Sequence, residues 1–120
     1  DLMRTVMGFV AAGPAVPLIA KGNAGIPKYH DGHIHYDGTP ELMAEYAVLA
    51  RDAGVRIIGG CCGTMPSHLE KMREALDTAP KGSAPELEEI TAALGAFSSQ
   101  SDGTDGEGPT RAPRRGRRRS

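Results

Sequence analysis

The sequence predicts an α/β fold in which βαβ units build a parallel sheet. Two short apolar runs, VPLIAK (Val16 to Lys21) and VRIIG (Val55 to Gly59), have the length and composition of buried strands. Segments with helical spacing of apolar residues lie before, between and after them, and Gly or Pro marks the changeovers. Strands alternating with helices of about 10–15 residues form βαβ units on a parallel sheet.

The elements follow in order. Leu2, Met3, Val6, Met7 and Val10 recur at helical spacing, and Gly13-Pro14 ends that helix. VPLIAK is the first strand. Gly22 to Gly38 (GNAGIPKYHDGHIHYDG) reads as a long loop rich in Gly, His and Asp. A helix then starts with Thr39 as N-cap and Pro40 in its first turn, and Gly54 stops it. Leu42, Met43, Tyr46, Leu49, Ala50 and Ala53 line its inward face. VRIIG is the second strand, CCGTM a tight loop, and Pro66 opens a helix to about Leu76. Leu69, Met72 and Leu76 form its predicted inward stripe. One more short helix follows in SAPELEEITAALGAF, with Ser83 and Glu86 as a capping box.

Two parallel strands leave both sheet edges open, and buried strands need cover on both faces. The chain also opens inside a helical pattern, at Asp1. Both features predict a piece of a larger fold. Aromatics are 4% of residues and Trp is absent, so no large core is evident. The net charge of −1 hides a split. Residues 1–97 hold 8 Lys and Arg against 12 Asp and Glu, and residues 98–120 hold 6 Arg against 3 acidic residues. This divides the chain into a structured part, 1–97, and a disordered Arg-rich tail, 98–120. The tail lacks aromatics between its arginines, which argues for a solvated terminus over nucleic-acid binding. No run of about 20 apolar residues would span a membrane.

Cys61 and Cys62 are the only cysteines. A disulfide between neighbours is strained, since adjacent Cα atoms lie about 3.8 Å apart and bridges prefer about 4.4–6.8 Å. Free thiols fit a reducing compartment, taken as the cytoplasm. The pair follows the second strand, at the carboxyl end where parallel α/β sheets gather their chemistry. Gly59, Gly60 and Gly63 let the backbone leave β geometry, so both thiols can turn to one side. The positive end of the helix opening at Pro66 favours negative charge there. Zinc is the metal that suits such thiolates. Buried apolar filler and a redox pair remain open on the residues alone. The loop YHDGHIHYD offers His30, Asp31, His33, His35 and Asp37 either as further metal ligands or as a polar lid. His68, on the first turn of a helix, reads as a surface or capping residue.

GGCCGTMPSHL resembles the GGCCGT-x-P-x-H signature of the homocysteine S-methyltransferase family, and PLIAKGNAGIP resembles that family's Pro-Asn-Ala-Gly strand end, with Gly22 in place of proline. Met65 stands where the family often has a capping threonine. The resemblance runs over about residues 1–97. It implies the last two βα units of a (β/α)8 (TIM) barrel, incomplete in this chain and inactive alone without the preceding units. It implies zinc-dependent methyl transfer from a small-molecule donor to homocysteine, giving methionine. Cys61 and Cys62 would be metal ligands, with a third cysteine from an earlier strand, and Asn23 a substrate-binding residue on the rim. The rival expectation is a non-catalytic metal-binding remnant that uses the cysteine pair with the histidine loop.

Overall fold

The computed structural model describes residues 1–95. The tail expected over residues 98–120 lies outside the described residues. The elements are α1 (Leu2–Ala11), β1 (Ile19–Gly22), β2 (Lys28–His30), β3 (His33–His35), α2 (Pro40–Ala53), β4 (Ile57–Gly60), α3 (Pro66–Thr78) and α4 (Leu87–Leu94). The result is a small mixed α/β unit.

β1 and β4 pair in parallel, Ile19 opposite Ile57 through Gly22 opposite Gly60. Parallel partners need a crossover, and α2 supplies it. Alternation along the strands divides the sheet's faces. Ala20 is buried against the helices, whereas Ile19 and Ile57 remain 62% and 55% exposed. The apolar strand residues thus cover one face and leave the other bare.

α2 is the centre of the helical layer and touches α1, α3, α4 and β4. Its start is fixed by Thr39, whose hydroxyl accepts from the Leu42 amide at 3.2 Å. Its end is Gly54 at φ 113°, a left-handed turn that suits glycine. Ala47 and Ala50 are fully buried, and such small side chains let neighbouring elements come close. Met3 and Val6 of α1, Met43 and Tyr46 of α2, Met72 of α3 and Ile90 of α4 fill the space around them.

After α3 the chain is held by Arg51. Its guanidinium donates to the carbonyls of Leu76 (3.2 Å), Ala79 (2.9 Å) and Pro80 (2.9 Å). Asp52 accepts from the Gly82 amide at 3.2 Å. These bonds satisfy carbonyls that a helix end leaves open. They also direct the chain back so that α4 lies on α2.

Four sequence expectations change. The Gly22–Gly38 loop contains an antiparallel hairpin, β2 with β3, turned by Asp31 (φ 50°) and Gly32 (φ 78°). Leu69 is 49% exposed rather than inward, because α3 turns His68 and Met72 to the interior. The last helix starts at Glu86, whose amide donates to the Glu89 carboxylate at 2.9 Å, in place of a Ser83–Glu86 box. The strands themselves are shorter than the apolar runs that predict them, beginning at Ile19 and Ile57.

Candidate metal centre

β4 ends at Gly60, so Cys61 and Cys62 stand beyond regular strand geometry. A turn follows, in which the Thr64 amide donates to the Cys61 carbonyl at 3.1 Å and Gly63 takes φ 76°. Both thiols are free and exposed, and their Sγ atoms lie 3.9 Å apart. Adjacent residues in a strand would point them to opposite faces. The turn brings them to the same side.

That spacing tests the donor set directly. Two thiolates on one tetrahedral zinc, with bonds of about 2.3 Å, stand about 3.8 Å apart. The observed separation fits two ligands of one ion and is far longer than a disulfide bond of about 2.05 Å.

The neighbouring backbone fixes the turn. The Cys61 amide donates to the Gly22 carbonyl at 2.8 Å, extending the β1–β4 ladder by one bond. The Cys62 amide donates to Asn23 Oδ1 at 3.1 Å, and the Cys62 carbonyl accepts from the Ala24 amide at 2.9 Å. Asn23 therefore sits against the pair, its carbonyl engaged with Cys62. Added methyl groups at Gly60 and Gly63 would run into Thr64 and the Tyr36 ring, so both glycines are needed for close packing. At Gly59 an added carbon would make only ordinary contact with Lys21. The three glycines are thus unequal: Gly60 and Gly63 shape the turn.

His68 is 8% exposed, which the sequence reading missed. Its Nδ1 accepts from the Met65 amide at 3.0 Å, and its Nε2 donates to the Gly38 carbonyl at 2.8 Å. The capping part of the expectation stands, but the residue is interior. Its position three residues into a helix led by Met65, which has no capping oxygen, was the available signal.

The hairpin histidines gather with one another. The His35 ring lies 6.4 Å from His30 and 6.5 Å from His33, centre to centre. All three are exposed, and His30 is 3.2 Å from the Asp31 carboxylate. Among the described residues, no group of three or more His, Cys, Asp and Glu side chains is arranged to hold a metal ion. The hairpin and the cysteine pair do not form a joint ligand set there.

A cavity of about 510 Å³ opens behind Asn23, between Leu2, Ile26, Tyr46, Ile90 and Leu94. The buried Tyr46 hydroxyl borders it beside Gly22 and meets no partner with hydrogen-bond geometry. Burial pushes its pKa up to about 12, against a small opposing pull from the Gly22 backbone. Neither cysteine lines this cavity. No helix among the described residues is long and apolar enough to cross a membrane.

The sequence profile of the homocysteine S-methyltransferase family matches residues 1–76. Among curated proteins, methionine synthase of Mycobacterium leprae (strain TN) is 31% identical over 71 residues. That alignment takes in 58% of this chain and 6% of the relative, so the chain spans only a small part of that protein's length.

Proposed function

Since the chain belongs to the homocysteine S-methyltransferase family, we propose that its cysteine turn supplies two zinc ligands, Cys61 and Cys62, to a centre that transfers a methyl group to homocysteine. The observation that carries this is the 3.9 Å separation of two exposed, free thiols on the same side of a turn. Zinc bound to thiolates keeps a coordinated substrate thiol deprotonated and therefore nucleophilic.

The chain's own residues have separate tasks. Cys61 and Cys62 hold the ion. Gly60 and Gly63 let the turn close over Thr64 and under Tyr36. The Asn23 side-chain carbonyl anchors the Cys62 amide, and Asn23 is the proposed substrate contact at the rim. With two cysteines in the chain, the third ligand comes from outside these residues. The methyl donor is a small molecule bound there too.

The proposed setting is a (β/α)8 barrel, in which β1 and β4 are the last two strands. The parallel pair and the bare Ile19–Ile57 face support it, since a barrel interior is packed with such side chains. Residues 1–97 form the homocysteine-binding part and 98–120 a dispensable tail. Free thiols support a reducing, cytoplasmic setting.

The test uses the full-length protein. Cys61→Ser and Cys62→Ser should each lose zinc on dialysis and abolish methyl transfer, because a hydroxyl is a poor substitute for a thiolate. His33→Ala and His35→Ala should keep both. If a Ser variant keeps full zinc, that cysteine is not a ligand; if the His variants lose the metal, the hairpin is the centre.

A further inference from the structure

We infer that His68 is a positioning residue for the cysteine turn: its neutral imidazole ties helix α3 to the Gly38 loop and so holds Ala24, Asn23 and Cys62 in register. This rests on the metal-centre reading for its effect on metal, and on hydrogen bonds alone for its effect on the loops.

The Met65 backbone N–H can only donate, so His68 Nδ1 carries no proton and accepts it at 3.0 Å. The ring proton then sits on Nε2, which donates to the Gly38 carbonyl at 2.8 Å. Gly38 in turn donates from its amide to the Ala24 carbonyl at 2.8 Å. Ala24 donates to the Cys62 carbonyl at 2.9 Å. The circuit closes through the Cys61–Thr64 turn, whose next residue is Met65. One side chain thus links both ends of a loop system that holds the backbone of the cysteine turn.

Two further observations fit. Gly38 and Ala24 are buried with their backbones in contact, and an added methyl at Gly38 would collide with Ala24. Apart from Tyr46, His68 is the only buried side chain with a polar group among the described residues. Its two ring nitrogens are both satisfied, as a buried imidazole requires. Groups bonded directly to metal ligands typically change metal affinity about 10–100-fold when replaced, and His68 acts two bonds further out, so the low end of that range is expected.

His68→Asn and His68→Gln separate the two bonds. Asn places an acceptor near Nδ1 and keeps the helix cap, but cannot reach Gly38. Gln places a donor near Nε2 and keeps the link, but gives up the cap. The experiment loads the full-length protein with Co2+ and measures its retention against a chelator by thiolate absorption, with amide exchange followed over residues 22–38. His68→Asn should weaken Co2+ retention about tenfold and speed exchange at Ala24 and Gly38. His68→Gln should stay close to wild type in both. Gly38→Ala, whose methyl would collide with Ala24 and disturb the next bond in the circuit, should resemble His68→Asn.

Wild-type retention in His68→Asn, or equal loss in both His68 variants, overturns the inference: loss in His68→Gln alone is the pattern of a helix cap, and equal loss is that of a buried ring whose bulk matters and whose link does not. Unchanged exchange at Gly38 in His68→Asn overturns it as well. If Cys61→Ser binds Co2+ as wild type does, the metal-centre reading fails instead, and exchange at Gly38 alone then decides the link.

Discussion

Tyr46 carries a hydroxyl that burial leaves without a partner. Its pKa, raised above the ordinary 10.0 to about 12, sets the sign of an alkaline effect. The folded state binds this proton more tightly than the unfolded state. Stability is therefore unaffected below about pH 10 and falls as pH rises from 10 towards 12. Tyr46→Phe should remove that slope and change stability at neutral pH by less than about 1 kcal/mol, because no hydrogen bond is lost. Denaturant midpoints at pH 8 and pH 11 check both statements. Gly63 is the opposite case. Its φ of 76° and its contact with the Tyr36 ring leave no room for a side chain. Gly63→Ala should cost about 1–3 kcal/mol and displace Tyr36, measured by the same unfolding assay. At this scale the turn that sets Cys61 and Cys62 on one side was legible, because Gly60 and Gly63 flank the pair and a side chain at either would clash. His68 was not, because its burial depends on Gly38, which is distant in sequence and close only in the fold.

The elements were legible where periodicity meets a buried face. α1 and α2 show their apolar stripes in sequence, and Thr39 and Gly54 mark the ends of α2 as expected. The hairpin was missed for a physical reason. His30, His33 and Ile34 are all exposed, so neither face of the ribbon carries an inward apolar pattern. The Asp31-Gly32 pair between short alternating segments was the usable signal. α4 gives an element-scale prediction. Ile90 is 1% exposed against the core, so Ile90→Ala should cost about 2–5 kcal/mol. Arg51→Ala removes three donors from the carbonyls at 76, 79 and 80 and should loosen the return of the chain to α4. Faster amide exchange over residues 80–94, with α2 still protected, is the expected result. A cost near zero for Ile90→Ala, with exchange unchanged in Arg51→Ala, would mean that α4 is not docked as described.

At the scale of the whole molecule, the two-stranded sheet is the feature that most shapes expectation. β1 and β4 pair only with each other among the described residues, and Ile19 and Ile57 lie bare on one face. Exposed apolar faces and open strand edges favour association and weaken cooperativity. The 120 residues alone should therefore unfold over a broad range and self-associate, and a sharp thermal transition of a monomer would contradict this. The α/β class was legible from strand and helix alternation. The proposed barrel goes beyond what these residues display, because β1 and β4 pair only with each other among the described residues and do not close a sheet. X-ray absorption at the zinc edge of the full-length protein tests whether the cysteine turn is a zinc centre. A sulfur shell at about 2.3 Å should lose one scatterer in Cys61→Ser and one in Cys62→Ser, whatever zinc remains bound. A shell of nitrogen and oxygen at about 2.0–2.2 Å, unchanged in both variants, would contradict it.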